Sequence, residues 1–457
     1  MEGVSLGKLF GSSGVRGLVN VVLTPELACK VGQAVATYSK AKHAVVGRDT
    51  RVSGPTIEDA LVSGLTAAGV DASLLGMLPT PAVAYLTREL GAGVGFMITA
   101  SHNPPQYNGI KVFRSDTLSY TDEDQNAVEE IIASNQLALS NWRFVAQAHK
   151  IEATGLYSEM LKNAAKLRNK WKLVVDPGCG ASFTVAPLAL NALGCKTTAL
   201  NAQPDGHFPA RSSEPTAESL CDLAKSVKAL GADLGIAFDG DADRVAFVDE
   251  AGEFVGFDQA LAAYAGYALK INGGGTIVTN VEASMCVETI AAKYGGKVVR
   301  SKVGDVYVSE AMKKFNAVFG GEPCGAWVHP KLHWCPDGPL SAVLLLSALE
   351  AENMSLREFI AKVPKFVTVR ENVVCENELK PQIISRIKET ITQVFPDYTN
   401  FSTVDGLRLS LKDGWVLIRA SGTEPLIRLT VEGESLKAAR HIVKKGVSLV
   451  KDHIGVS

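Results

Sequence analysis

Gly91-Ala92-Gly93-Val94-Gly95-Phe96-Met97-Ile98-Thr99-Ala100-Ser101-His102-Asn103-Pro104-Pro105 is an apolar run that stops at a serine and a proline-broken polar loop. The run Val94 to Ile98 is short and wholly apolar, as a strand buried on both faces of a sheet is. The two prolines forbid a helix from starting at the serine, so one hydroxyl is presented on a stiff loop at a strand end. α/β proteins place their chemistry at such strand ends.

A serine there ordinarily caps a helix or closes a turn, and recurrence of the pattern is what changes its weight. In the first unit His43-Ala44-Val45-Val46-Gly47 leads to a helix over 56–68, then to Thr80-Pro81-Ala82-Val83, and then to the run ending at Ser101. In the second, Lys172-Leu173-Val174-Val175-Asp176 leads to an alanine-rich helix, to Glu214-Pro215-Thr216-Ala217, and to Gly231-Ala232-Asp233-Leu234-Gly235-Ile236 ending at Asp239. A looser third unit opens with Thr276-Ile277-Val278-Thr279, continues with a helix near 284–293, and ends through Phe319-Gly320-Gly321 at Glu322. Alternating strands and helices of this kind imply mostly parallel sheets whose strand ends line a crevice. The tail differs: 365–375 and 406–412 alternate as antiparallel strands do, with amphipathic helices over 379–394 and 436–451. The expected fold is α/β, with three similar mixed or parallel units around a central cleft and a smaller C-terminal α+β domain. The units are expected at 1–152, 153–252 and 253–365, and the tail at 366–457.

The chain has 457 residues, enough for several cores, and a net charge of −2. Basic residues are scattered among acids, so no basic face recruits nucleic acid or an anionic membrane. Eight cysteines at irregular spacing form neither a zinc motif nor a disulfide framework. With no apolar run of membrane-spanning length and no signal core, a soluble cytoplasmic protein is expected, as monomer or homodimer.

Asp239-Gly240-Asp241-Ala242-Asp243-Arg244 sets three carboxylates on alternate residues between two apolar runs. Such a group repels itself unless a divalent cation neutralises it, and hard oxygen ligands favour Mg²⁺ or Ca²⁺. An EF-hand is excluded, because Arg244 stands where its loop needs glycine and both flanks read as strands. A serine loop and a carboxylate loop at equivalent places in two units suit phosphoryl transfer through a phosphoserine and Mg²⁺, with His102 and Lys111 as proton carriers or charge clamps. Arg419-Ala420-Ser421-Gly422-Thr423-Glu424-Pro425-Leu426-Ile427-Arg428 reads as a phosphate nest between two arginines. Glu322, on a turn held by Gly321, Pro323 and Gly325, suits sugar hydroxyls. The loop Gly47-Arg48-Asp49-Thr50-Arg51 reads equally as a ligand loop or a structural Arg–Asp pair, and no Walker phosphate loop occurs.

Together with Phe10-Gly11-Ser12-Ser13-Gly14-Val15-Arg16-Gly17, these loops resemble, in order and spacing, those of the α-D-phosphohexomutase superfamily. The resemblance implies a mobile fourth domain and phosphorylation of Ser101. It implies Mg²⁺ held by that phosphoserine with Asp239, Asp241 and Asp243, and Arg16, His102, Lys111 and Arg244 around the transferring phosphoryl. Arg419, Ser421, Gly422, Thr423 and Arg428 are implied to grip the resident phosphate of the sugar, and a sugar 1,6-bisphosphate to prime the enzyme. Lys111 is the first choice for proton transfer. Many relatives carry serine and histidine where this chain has Cys324 and Ala326, with His329 or His333 as replacements within reach. The glycine-glutamate-proline loop resembles that of archaeal-type phosphoglucosamine mutases, so glucosamine phosphate is the first expectation. Phosphomannomutase or phosphoglucomutase comes second and phosphopentomutase third. A metal-dependent sugar phosphatase and a non-catalytic phosphosugar-binding relative are the rivals from other classes.

Overall fold

A computed structural model describes residues 9–11, 14–422 and 424–455, so Ser12, Ser13 and Thr423 lie outside the described residues. Four sheets carry the chain. The first contains β1 (Phe10–Gly11), β2 (Gly14–Leu18), β3 (His43–Arg48), β4 (Asp71–Met77), β5 (Val94–Ile98), β6 (Tyr107–Arg114) and β7 (Ala148–Lys150), ordered β1-β2-β6-β5-β3-β4-β7. The second contains β8 (Lys172–Asp176), β9 (Lys196–Ala199), β10 (Leu234–Phe238) and β11 (Val245–Val248), ordered β11-β10-β8-β9. The third contains β12 (Gly275–Asn280), β13 (Gly296–Ser301), β14 (Phe319–Gly321) and β15 (Trp327–Val328), ordered β13-β12-β14-β15.

One four-strand pattern recurs in all three. An opening strand (β3, β8, β12) pairs in parallel with a neighbour on each side, and the later neighbour (β5, β10, β14) turns back through a loop into an antiparallel strand. Ser101, Asp239 and Glu322 each sit at the start of that returning loop. Every residue of β5 and β10 is buried, which explains why both read as unbroken apolar runs. The third unit matches the others loosely because β14 and β15 have only three and two residues.

The fourth sheet is wholly antiparallel: β16 (Val367–Val374), β17 (Asn400–Ser402), β18 (Leu407–Leu411), β19 (Gly414–Ala420) and β20 (Leu426–Gly433), ordered β16-β20-β19-β18-β17. The strands β19 and β20, absent from the sequence reading, flank the expected phosphate loop and make it a hairpin tip.

The cores are not divided as the units are. One apolar cluster runs from Trp171 through Phe238 and Leu261 to Leu346, joining the second and third units. Another joins Val45 and Phe113 of the first unit to Val185 and Leu340. The fourth domain has its own core around Ile387, Leu409, Ile427 and Val450. Its apolar contact with the third unit is a small cluster of Val281, Trp415 and Leu417 with Met285 and Val303 against it. Among the described residues no helix is long and apolar enough to cross a membrane.

Asp337 ties the third unit to the second. It caps the helix Gly338–Glu352 by accepting from Leu340 N at 2.8 Å, and accepts from Tyr157 Oη at 2.8 Å while His333 Nε2 lies 2.9 Å from its other oxygen. Tyr157 belongs to the helix Thr154–Ala164, and all three side chains are buried. Asp337→Ala removes the cap and leaves two buried polar groups unpaired. The expected loss is about 3 kcal/mol in a denaturant titration, and a loss below about 1 kcal/mol would contradict this role.

Candidate active site

Ser101 has φ of 50°, a left-handed conformation that costs a serine of order 1 kcal/mol and persists only where its surroundings hold it. Arg51 supplies the hold. Its Nη2 donates to the carbonyls of Ser101 (2.8 Å) and Asn103 (2.7 Å), and its Nη1 to those of Pro104 (2.7 Å) and Tyr107 (2.9 Å). Its Nε donates to Asp49 at 3.0 Å, Asp49 accepts from Thr99 Oγ1 at 2.7 Å, and Thr99 Oγ1 accepts from Ser101 N at 2.8 Å. Arg51 and Asp49 are fully buried. Burial raises the Asp49 carboxyl against the pull of Arg51. The Gly47 to Arg51 loop is therefore an internal brace rather than a ligand loop: a planar fork with five donors matches four carbonyls and a carboxylate.

The second unit docks on the first around the serine loop: Thr80 N donates to the Asp241 carbonyl at 2.8 Å, and Ser213 Oγ donates to the His102 carbonyl at 2.7 Å. A Cβ on Gly240 would lie 2.6 Å from the Ser101 carbonyl, so glycine is what lets the two loops touch.

Asp239, Asp241 and Asp243 are buried, with carboxylate oxygens within 4.8 Å of one another. Ser101 Oγ donates to Asp239 Oδ2 at 2.7 Å. Asp241 Oδ2 accepts from Thr80 Oγ1 (2.5 Å) and Lys111 Nζ (2.7 Å), and Lys111 also donates to Asp243 Oδ2 at 2.5 Å. Burial and mutual repulsion raise the Asp239 and Asp243 carboxyls, whereas Asp241, also opposed by burial, is held low by Lys111 and Thr80. Asp241 Oδ1 is buried with no hydrogen-bond partner. Three buried carboxylates, one ammonium and an orphaned hard oxygen fit a divalent cation.

Arg16, Ser101, His102, Lys111, Asp243 and Arg244 form one side of a cavity of about 270 Å³. Burial opposes the charge on Lys111, yet Asp241 and Asp243, both paired with it, hold it above the ordinary ammonium value. His102 Nδ1 lies 3.3 Å from Ser101 Oγ. Burial, then Arg244 and Arg16, push this imidazole down to about 3, so it is neutral. Arg16 Nη1 donates to Asn103 Oδ1 at 2.9 Å, and Arg244 Nη1 to Glu214 Oε1 at 3.2 Å.

The facing wall comes from the third unit and includes Asn280, Glu282, Gly304, Glu322, Cys324 and Ala326. Glu322 Oε1 accepts from Asn280 Nδ2 (2.7 Å) and Gly304 N (2.8 Å), and burial raises its carboxyl. Burial pushes the Cys324 thiol up to about 12, leaving it protonated. Gly325, at φ of 88°, presses on β11, where a Cβ would meet the Val245 carbonyl at 2.2 Å. His329 and His333 do not replace the missing polar groups. β15 carries the chain inward, where His329 bonds Ser341 Oγ at 2.9 Å among Tyr264 and Phe319, and His333 bonds Asp337.

Among the described residues of the C-terminal loop, only Arg419 reaches the rim of this cavity: its Nη1 donates to Glu282 at 2.8 Å and its Nε to Asp405 at 3.0 Å. Arg428 stands opposite Arg419 in the β19–β20 register and pairs with Glu424. Ser421 and Gly422 do not line the cavity. Lys380, buried beneath the loop, donates to the carbonyls of Ser421 and Glu424, both at 2.6 Å. The sequence reading named Arg51 in a loop that could be a structural Arg–Asp pair, and that pair is what forms. Asn280, Glu282 and Lys380 escaped it, and of these three Asn280 had a signal, because it ends the opening strand of the third unit.

Four family profiles match the chain in succession: phosphoglucomutase/phosphomannomutase alpha/beta/alpha domain I at residues 7–138, domain II at 155–252, domain III at 257–366 and the C-terminal domain at 371–447. A protein of Methanopyrus kandleri called a probable phosphoglucosamine mutase is 44% identical, over 98% of each chain. One of Pyrococcus abyssi with the same description is 42% identical, over 98% of this chain and 99% of its own. A crystal structure of a phosphoglucomutase/phosphomannomutase family protein from Burkholderia thailandensis superposes with a TM-score of 0.88 at 28% identity, covering 98% of this chain and 97% of that one.

Arg51→Lys keeps a charge but not the fork. It is expected to lower kcat more than tenfold and cost about 2 kcal/mol in a urea titration, because three donors cannot satisfy five acceptors. Unchanged values of both would show that the serine loop holds itself.

Proposed function

From its place in the phosphoglucomutase/phosphomannomutase family, to which this chain belongs, we propose that it interconverts glucosamine 6-phosphate and glucosamine 1-phosphate. The chain is a phosphosugar mutase and an isomerase. The sugar is read from relatives at 44% and 42% identity described as probable phosphoglucosamine mutases. The observation that carries the chemistry is the Ser101 hydroxyl, 2.7 Å from Asp239 among Arg16, Lys111 and Arg244 and across a cavity from Glu322.

In this reading Ser101 Oγ carries a phosphoryl group in the resting enzyme. The free hydroxyl oxygen of the bound sugar phosphate forms the new bond to phosphorus, the bond from phosphorus to Ser101 Oγ breaks, and the hydroxyl proton ends on the leaving Ser101 Oγ. His102, whose Nδ1 lies 3.3 Å from Oγ, is placed to relay that proton, with Lys111 as an electrostatic clamp beside Arg16 and Arg244. The sugar 1,6-bisphosphate reorients, its other phosphoryl returns to Ser101 Oγ, and no water or orthophosphate is consumed. The same bisphosphate primes an unphosphorylated enzyme.

Asp239, Asp241 and Asp243 with the Ser101 phosphate are the residues to hold Mg²⁺, which when bound neutralises charge on the transferring phosphoryl oxygens. Glu322 accepts from sugar hydroxyls beside Cys324. Arg419, Ser421, Gly422, Thr423 and Arg428 grip the resident phosphate once the fourth domain closes. Its separate core and small apolar contact with the third unit support such a movement.

Ser101→Ala is expected to lower turnover at least about 10³-fold, since positioning cannot replace the phosphoryl carrier. Asp239→Ala should lower kcat about 10²-fold or more and flatten its dependence on added Mg²⁺. Parallel assays on glucosamine, glucose, mannose and ribose phosphates, primed with bisphosphate, should show the highest kcat/KM for glucosamine phosphate at constant total ester phosphate. Orthophosphate release without isomerised sugar would make the enzyme a phosphatase instead.

A further inference from the structure

Among the described residues one ion pair joins the fourth domain to the wall of the cavity: Arg419 Nη1 donates to Glu282 Oε1 at 2.8 Å. Among the described residues Arg419 is the one side-chain partner of Glu282, whereas Arg419 also holds Asp405 at 3.0 Å. Glu282 is placed with care. Asn280 Oδ1 accepts from Glu282 N at 2.9 Å, and Nδ2 of the same side chain donates to Glu322 at 2.7 Å. One asparagine thus sets the carboxylate assigned to the sugar hydroxyls and the backbone of a second carboxylate beside it. The cations of the cavity, Arg16, Lys111 and Arg244, belong to the opposite side.

We propose that Glu282 reads the 2-ammonium group of glucosamine phosphate, the Glu282–Arg419 pair being exchanged for the two opposite charges of the substrate. The inference rests on the function proposed above, in which Arg419 grips the resident phosphate. A phosphate arriving at Arg419 competes with Glu282 for the guanidinium and leaves that carboxylate in need of another cation. A neutral hexose phosphate brings only the anion and strands Glu282 in a closing, water-poor cavity. An aminosugar phosphate brings both charges. In glucosamine 1-phosphate the ammonium and phosphate stand on adjacent carbons, matching a carboxylate and a guanidinium in direct contact. Selectivity then comes partly from the penalty on the neutral competitor.

The test compares kcat/KM for glucosamine 1-phosphate and glucose 1-phosphate in the wild-type enzyme and in Glu282→Gln, which keeps the shape and removes the charge. The expected result is a fall of about tenfold in the ratio of glucosamine to glucose, expressed in KM for the aminosugar and partly restored in Glu282→Asp. If Glu282 serves only as a latch between domains, both sugars lose by one factor, the ratio stands, and the proposal is overturned. A wild-type preference for glucosamine that survives in Glu282→Gln overturns the inference alone. A wild-type enzyme that does not prefer glucosamine overturns the sugar reading and this inference with it.

Discussion

Three carboxylates cannot be buried in one loop without cations, and the arrangement of the first two units follows from that constraint. Asp239, Asp241 and Asp243 draw Lys111 off β6 into two ion pairs and take the hydroxyls of Ser101 and Thr80. Each partner comes from the first unit, so neutralising the acidic loop also docks one unit on the other. The charge left over, with the unpartnered Asp241 Oδ1, is what a divalent ion would meet. Structure and chemistry here share one cause: groups costly to bury are kept reactive by incomplete compensation.

The serine loop shows the complementary tactic. Ser101 is strained, and its strain is sustained by Arg51, whose fork ties four carbonyls into a rigid crossing. A stiff carrier matters for phosphoryl transfer, where rate comes from position and preorganised charge rather than from new covalent chemistry. The fourth domain contrasts with this rigidity. It keeps its own core and meets the cavity rim through the Arg419–Glu282 ion pair, which a phosphate can exchange, and through Asp405, which accepts from Val303 N.

Repetition made much of this legible. Ser101, Asp239 and Glu322 could be placed together before any coordinates, because each follows the same apolar run in its unit and equivalent strands end on one side of a sheet. The departures are equally local. His329 and His333 looked close enough in sequence to Cys324 to replace the missing polar groups, but the chain leaving β15 runs into the interior, where Ser341 and Asp337 take them up. The C-terminal loop was recognisable by composition, while its flanking strands went unread: β19 opens on a run of buried residues without alternation, and β20 alternates apolar with polar residues only over the six from Ile427 to Glu432.

By itself the sequence determined the three α/β units, the antiparallel tail, and the serine, carboxylate, glutamate and arginine loops. Each of these is a local matter of hydrophobic period, turn chemistry and residue type over a dozen neighbours. Only the tertiary structure decided which loops meet and what each charge faces. Arg51 lies 50 residues from the serine it braces, Lys111 is 130 from Asp241, and Arg419 is 137 from Glu282. Pairings over such distances depend on how sheets pack and where glycines such as Gly240 allow backbones to touch, and no local pattern records them.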